Sequence, residues 1–271
     1  MTTVAEALRE AAGRLAATSH SARLDAELLM AHALGVERDV LLLHRLDEAA
    51  PAGFEALVQR RLAHEPIAYL TGRRAFWTIE LEVGPGVLIP RPDSETLIEA
   101  AVAHFGERSP TRILDLGTGP GTLLLAALDQ WPGATGLGID ASETALGYAR
   151  RNAIPRAEFQ RGNWGAGLDE RFDLILCNPP YIEADAALPP DVSRYEPDVA
   201  LYAGPDGLDA YRAIAPQLPS LLAPGGVICI EIGAGQEKAV SALFAALGFT
   251  IESRRDLRGI VRCLVLTRNR V

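Results

Sequence analysis

Beyond Pro92 the chain alternates between helical and strand patterns, and this alternation restricts its fold more than any other feature. Asp93 or Ser94 can cap a helix that reaches Phe105. Then come a strand over 112–116, a helix over 121–130, a strand over 134–140, a helix over 142–153, and strands over 157–161 and 172–177. A long loop precedes a helix near 208–222, a strand over 226–232 and a helix near 236–247. Two last strands, near 249–254 and 261–267, are joined by the polar segment Arg254 to Gly259 with no helix between them. Such alternation predicts an α/β fold, a doubly wound parallel sheet with helices on both faces. The last two strands should form an antiparallel hairpin at the sheet edge.

The preceding segment has a different grammar. Ala7, Leu8, Ala11, Ala12 and Leu15 share one helical stripe, mildly interrupted by Gly13. Ser21 can cap a second helix carrying Leu24, Leu28, Leu29, Ala31 and Leu34, which Gly35 is placed to end. Shorter helices are expected around Asp39 to Arg45 and from Phe54 to Ala63, so that 4–64 reads as a small bundle. From Phe76 to Val83 the pattern has partly period two; Gly84-Pro85-Gly86 is a turn signal, and Val87-Leu88-Ile89 follows. This predicts a β-hairpin. The expected organisation is therefore a helical domain over 1–72, a hairpin linker over 73–91 and an α/β domain over 92–271. A length of 271 residues is comfortable for two domains.

Composition narrows the partners. The net charge is −9 and Lys238 is the sole lysine. An acidic chain without a basic run is poorly suited to gripping nucleic acid by its phosphates, so no direct nucleic-acid partner is expected. No stretch approaches the roughly 20 apolar residues that span a bilayer, and Met1 to Glu10 lacks the pattern of a secretory signal. Cys177, Cys229 and Cys263 are scattered through apolar runs, without disulfide or metal-ligand spacing. They read as reduced, buried thiols, and the chain as a cytoplasmic protein, expected to be monomeric.

Ile113-Leu114-Asp115-Leu116-Gly117-Thr118-Gly119-Pro120-Gly121 is a strand, a glycine-rich turn and a helix start. Glycines admit positive φ and the close approach of a ligand. In a doubly wound sheet such a turn lies at the carboxyl ends of the strands, where ligands bind. Asp140 closes the next strand and can accept hydrogen bonds from both hydroxyls of a ribose. Glycine turn plus acid serves NAD as well as S-adenosylmethionine. Two details favour the methyl donor: the Gly-x-Gly-x-Gly spacing misses the dinucleotide fingerprint, and Asp115 with Thr122-Leu123-Leu124 looks like motif I of methyltransferases. Asn163 can accept from an adenine amino group; Trp164 can stack on the ring or anchor its own loop.

Phe172-Asp173-Leu174-Ile175-Leu176-Cys177-Asn178-Pro179-Pro180-Tyr181 points to the reaction. Two prolines lock φ near about −65° and withhold donors. Asn178, preceding a proline, is pushed toward an extended conformation. The result is a stiff segment with fixed carbonyls. A planar amide or aromatic amine is a poor nucleophile because its nitrogen lone pair is delocalised. Acceptors on its two N–H groups, the Asn178 side-chain oxygen and the Pro179 carbonyl, would orient it and favour pyramidalisation. Tyr181 can stack on its planar face, beside Pro180. Catalysis would rest on positioning and preorganised dipoles, without a strong general base or a metal.

Asn-Pro-Pro-Tyr with Asp-Leu-Gly-x-Gly resembles the amino-methyltransferases on the class I methyltransferase fold, which include DNA adenine-N6 enzymes and the HemK/PrmC protein-glutamine N5 methyltransferases. Three segments look like the latter: Glu65 to Gly72 with Phe76-Trp77; Leu88 to Glu95; and Tyr195-Glu196-Pro197 with Ala200-Leu201 and Gly204 to Gly207. With Arg255-Asp256-Leu257 and Gly259, the similarity covers nearly the whole chain. It implies methylation of the glutamine in the Gly-Gly-Gln loop of class I peptide chain release factors, docked by the helical domain. It implies that Gly117, Thr118, Gly119, Pro120, Gly121, Asp140, Asn163, Trp164 and Asn178 hold S-adenosylmethionine. Asn178, Pro179, Pro180 and Tyr181 would hold the glutamine, and Arg91 would lie near the cleft with no derived role. Asn163 stands where the family usually has an acid, and Pro120 where it has a small residue; both departures weaken the implied donor contacts. An adenine-N6 methyltransferase flipping its base into the same pocket is the alternative.

Overall fold

The computed structural model describes residues 2–268; Met1 and 269–271, the outermost ends of the two expected domains, lie outside it. The chain divides into two compact units. One runs to Arg73 and takes in Leu188–Tyr195; the other is Arg74–Ala187 with the chain from Glu196 on.

The first unit contains α1 (Val4–Leu15), α2 (Ala22–Leu34), α3 (Arg38–His44), α4 (Phe54–Leu62) and α5 (Ile67–Thr71). Its core gathers Val4, Leu15, Leu29, Met30, Leu41 and Val58, all fully buried. Thr3 caps α1 in a reciprocal capping box with Glu6. Ser21 stands at the N-cap of α2, as expected, but its hydroxyl donates to Asp25 rather than capping the backbone. Leu24, expected on the apolar stripe, is 42% exposed. The inward position next to it goes to Asp25, whose carboxylate accepts from Arg61 Nε at 2.8 Å. That ion pair, buried on both sides, takes the place of an apolar contact. Leu188–Tyr195 joins this unit through α9 (Pro190–Ser193), and the Tyr195 hydroxyl donates to the Ala63 carbonyl at 2.9 Å.

Apart from its first residue, Arg73, the hairpin of β1 (Arg73–Phe76) and β2 (Ile79–Glu82) opens the second unit. A hairpin is present but not the one expected: its turn is Trp77-Thr78, with Trp77 at φ 54°, and not Gly84-Pro85-Gly86. Val87 to Ile89 forms no strand. The glycines there serve close packing: a Cβ on Gly84 would fall 2.2 Å from the Tyr148 hydroxyl oxygen, and one on Gly86 would strike Thr144.

A 3-10 turn (Pro92–Ser94) leads into α6 (Glu95–Phe105). The alternation then runs β3 (Arg112–Leu116), α7 (Thr122–Gln130), β4 (Thr135–Asp140), α8 (Glu143–Asn152), β5 (Ala157–Arg161) and β6 (Phe172–Cys177). After the 3-10 turn Asp198–Ala200 come α10 (Asp209–Ile214), a 3-10 turn (Ala215–Gln217) and α11 (Leu218–Leu221). Pro216 and Pro219 break the single helix expected near 208–222 into these pieces. β7 (Leu222–Glu231), α12 (Glu237–Ala245), β8 (Thr250–Arg255) and β9 (Val261–Thr267) complete the unit. Seven strands form one sheet in the order β5-β4-β3-β6-β7-β9-β8. It is parallel from β5 to β7, and β9 joins β7 antiparallel with β8 at the edge. This is the Rossmann-like class I methyltransferase sheet, ending in the expected hairpin. Its central strands read as near-continuous apolar runs because both faces are covered; Leu114, Leu116, Ile175, Ile228 and Ile230 are fully buried.

Candidate active site

Chain order reverses direction between β3 and β6. β3 continues outward to β4 and β5, whereas β6 leads the other way to β7. A crevice opens at such a switch point, at the carboxyl ends of the strands. Register pairs Leu116 with Cys177, so the glycine turn after β3 and Asn178 after β6 leave the sheet side by side. Both line one cavity, together with Asp115, Asp140, Asn163, Trp164 and Pro180.

The glycine turn spends its donors internally. The N–H groups of Gly117 and Thr118 both donate to the Ile139 carbonyl, at 2.8 and 2.9 Å. Gly119 donates to Asp140 Oδ2 at 2.9 Å, Gly121 to the Thr118 carbonyl at 2.9 Å, and Pro120 has no donor. Gly117 needs its positive φ of 73°, and the Trp164 ring would lie 3.1 Å from a Cβ there. The turn is a cradle without free amides. It lacks what a pyrophosphate requires at a helix N-terminus. Asp115 reinforces the point: its Oδ2 accepts from Thr118 Oγ1 at 2.6 Å and from the Leu124 N–H at 3.2 Å, so a carboxylate already sits on the first turn of α7. Its Oδ1 is buried without a hydrogen-bond partner. Burial pushes the Asp115 carboxyl up to about 7, against the pull of Thr118 and Leu124 and with a smaller push from Asp140. Such a site favours a cation.

Asp140 accepts from Ser142 N at 2.8 Å through its other oxygen. Each carboxylate oxygen has about two lone-pair directions, so roughly one remains on each. Gly121 is outside the cavity lining; it starts α7, where a Cβ would press on Leu125 at 2.9 Å. Pro179 is buried behind Asn178, and neither it nor Tyr181 is among the lining residues. The Tyr181 ring packs against the sheet core, with its hydroxyl donating to Glu231 Oε1 at 3.2 Å. Burial, then the Glu231 charge, raises its pKa.

Several lining or supporting residues carried no role in the sequence. Arg91 lines the cavity and forms an ion pair with Glu196, whose side chain also accepts from the Ile89 N–H at 3.0 Å. Pro197, Val199 and Ala200 complete that wall. Ser94, expected as a helix cap, makes no capping bond; its hydroxyl donates to Glu231 at 2.5 Å. One sequence signal was available for Glu231: an acid between Ile230 and Ile232, inside an apolar strand, is seldom buried without a partner.

Residues 6–72 match the family model described as PrmC N-terminal domain, and residues 107–248 match one described as Methyltransferase domain. The chain is 46% identical over 257 residues to the release factor glutamine methyltransferase of Rhodospirillum rubrum, covering 91% of this chain and 79% of that one. The enzyme of the same name from Cereibacter sphaeroides is 46% identical over 255 residues, covering 90% of each. Among solved structures, a methyltransferase from Pyrococcus furiosus superposes with a TM-score of 0.53 at 18% identity, covering 78% of this chain and 96% of that one; this likeness concerns the fold. On the strength of the sequence matches, the chain belongs to the release factor glutamine methyltransferase family.

Proposed function

We propose that this chain transfers a methyl group from S-adenosylmethionine to the side-chain amide nitrogen of the glutamine in the Gly-Gly-Gln loop of class I release factors. The observation that carries the reading is one cavity lined by both Asp115–Asp140 and Asn178 in a chain of this family. Its residues fit the donor. The unpartnered buried oxygen of Asp115 suits the donor's ammonium group, and the remaining lone pairs of Asp140 suit the ribose hydroxyls. Asn163 and Trp164 would take the adenine, and the glycine turn would lie along the sugar and sulfur. A cradle of two acids and no free turn amide suits a cation better than the pyrophosphate of NAD.

The donor supplies an electrophilic methyl on a cationic sulfonium. Asn178 Oδ1 and the Pro179 carbonyl accept the two N–H groups of the glutamine amide and turn its nitrogen toward that methyl. Tyr181, held by its hydroxyl, offers a fixed ring to the amide plane, beside Pro180. Transfer would break the methyl–sulfur bond and leave the donor a neutral thioether, and the nitrogen proton, acidic only as the N–C bond forms, would pass to water, so orientation and fixed dipoles supply the rate. The helical unit, with its match to the PrmC N-terminal domain, docks the protein substrate. Labelled methyl transfer to a purified release factor tests the reading. Label should appear with the loop glutamine present and vanish when it is replaced; transfer to DNA or RNA instead would favour a base as substrate.

A further inference from the structure

Glu231 ends β7 at 2% exposure, directly behind the Asn-Pro-Pro-Tyr segment. Its carboxylate receives the Ser94 hydroxyl at 2.5 Å and the Tyr181 hydroxyl at 3.2 Å. Asn178 Nδ2 approaches the same Ser94 oxygen at 3.0 Å. Counting protons orients this chain. A serine hydroxyl has one proton, and an ionised carboxylate has none to offer. The Ser94 proton therefore goes to Glu231, and toward Asn178 the Ser94 oxygen can only accept. The amide must then present its NH2 to Ser94, which leaves Oδ1 directed away from it.

The catalytic reading above depends on that choice, since a reversed amide would set NH2 against the NH2 of the substrate. Building on that reading, we propose that Ser94 and Glu231 are positioning residues for methyl transfer, locking the Asn178 amide with its oxygen rather than its nitrogen turned to the glutamine. The same carboxylate fixes the Tyr181 ring, so one buried group aligns two members of the motif.

The lock has a condition, which is that Glu231 be ionised. Burial pushes its carboxyl up to about 7, while the Ser94 and Tyr181 hydrogen bonds and the Arg262 charge pull it down and Asp93 pushes it up. Arg262, on β9, is shared with Asp93 at 3.4 Å and with Asp256 at 3.3 Å. The other titratable groups near Glu231 are the Cys177 and Cys263 thiols and the Tyr211 hydroxyl, all raised chiefly by burial and therefore neutral. A protonated Glu231 can donate to Ser94, whose own proton is then free to turn to Asn178. The reversed amide becomes possible, so turnover should rise as pH increases through about 7 and level off above it.

The test uses the full-length chain, a release factor and S-adenosylhomocysteine as the donor-site probe. Ser94→Ala should lower kcat about 10- to 100-fold, less than the roughly 100- to 1,000-fold of losing a preorganised contact to the substrate itself because Ser94 acts through Asn178, with the dissociation constant of the probe and the KM for the release factor nearly unchanged. Ser94→Thr, which keeps the hydroxyl, should restore most of the rate. Glu231→Gln should lower kcat and flatten the rise near neutral pH, and the double variant should be no slower than the poorer single one, because the two act as a unit. Unimpaired turnover in both single variants, with an active wild type, would overturn the proposal and leave the functional reading intact. So would a loss of probe binding that parallels the loss of rate and is not rescued by Ser94→Thr, the mark of a merely structural role. A wild type that transfers no methyl to the glutamine would remove the functional reading, and the inference with it.

Discussion

Replacing Asp140 by alanine separates the two duties that its position imposes. The carboxylate already holds the Gly119 and Ser142 amides, at 2.9 and 2.8 Å, one on each oxygen. A carboxylate offers about four acceptor directions, so roughly two are left, the number a ribose diol needs. A hydrogen bond to a charged acceptor contributes about 1.5 kcal/mol at the low end, which is about tenfold in a dissociation constant. Asp140→Ala should therefore weaken S-adenosylhomocysteine by about 100-fold from the ribose alone, plus whatever the loosened Gly119 turn adds. The turn contribution is common to any ligand of this site, so a 2′-deoxy analogue isolates the ribose. Calorimetry on wild type should find the analogue about tenfold weaker than the parent, because it forgoes one of the two bonds. In the variant the two ligands should bind alike. If the variant still discriminates tenfold, the hydroxyl is recognised elsewhere and the assignment fails. If wild type does not discriminate, Asp140 serves only the backbone of the turn.

Other perturbations address the remaining pieces. Asn178→Ala should cut turnover by at least about 100-fold and leave S-adenosylhomocysteine binding largely intact; surviving activity in a rate assay would remove the positioning mechanism. Deleting residues 1–72 should leave that binding intact and impair methylation of the whole release factor, and an unaffected rate would deny the helical unit its docking role. Arg61→Met strands the buried Asp25 carboxylate and should cost about 3 kcal/mol in chemical denaturation; a change within experimental error would mean that water replaces the arginine. Asp115 and Glu231 both titrate near 7 when folded, against reference values of 3.8 and 4.5. The folded chain thus holds protons that the unfolded chain has lost, and their contribution to stability, full at low pH, disappears as pH rises through about 7. Denaturation midpoints should fall from about pH 4 to about 7 and level off above, less so in Glu231→Gln, and a midpoint that rises over that range would contradict the burial of these acids.

That Asp115, the glycine turn and Asp140 gather at one cavity was readable because they are local. Asp115, the glycine turn and Asp140 lie within two strands and one helix of sequence, and each residue type has a physical reason to stand where it does. The hairpin was misread for the opposite reason. Gly84-Pro85-Gly86 carries the composition of a turn, yet its glycines answer to Tyr148 and Thr144 on α8, while the turn falls at Trp77-Thr78, where a tryptophan takes a conformation that single-residue preferences disfavour. Leu24 followed the helical period and still faces outward, because the inward position beside it is taken by Asp25, whose buried carboxylate needs its partner Arg61. Ser94 read as a helix cap, and only the fold shows that its hydroxyl is used 137 positions away, on Glu231.

Locality also distinguishes what this fold has in general from what the chain adds to it. Any doubly wound sheet with a reversal between β3 and β6 opens a crevice at that point, and a glycine turn beside it lets a ligand approach the backbone closely. What that ligand carries is decided by charge: two acids and a turn whose amides are already spent disfavour a pyrophosphate and suit a cation. What the cation reacts with depends on Asn178, one residue beyond the strand across the crevice, and an amide in that place is chemically two-faced. Its choice of face rests on groups from two distant segments, Ser94 before α6 and Glu231 at the end of β7, and the same Glu231 holds Tyr181 of the motif. The rigid prolines can set where the Asn178 backbone lies, but only a buried acceptor can say which end of its side chain points outward. An Asn-Pro-Pro-Tyr segment grafted onto a sheet that lacks the Ser94–Glu231 pair should therefore bind its amide substrate in either sense and turn over slowly, however well the glycine turn holds the donor.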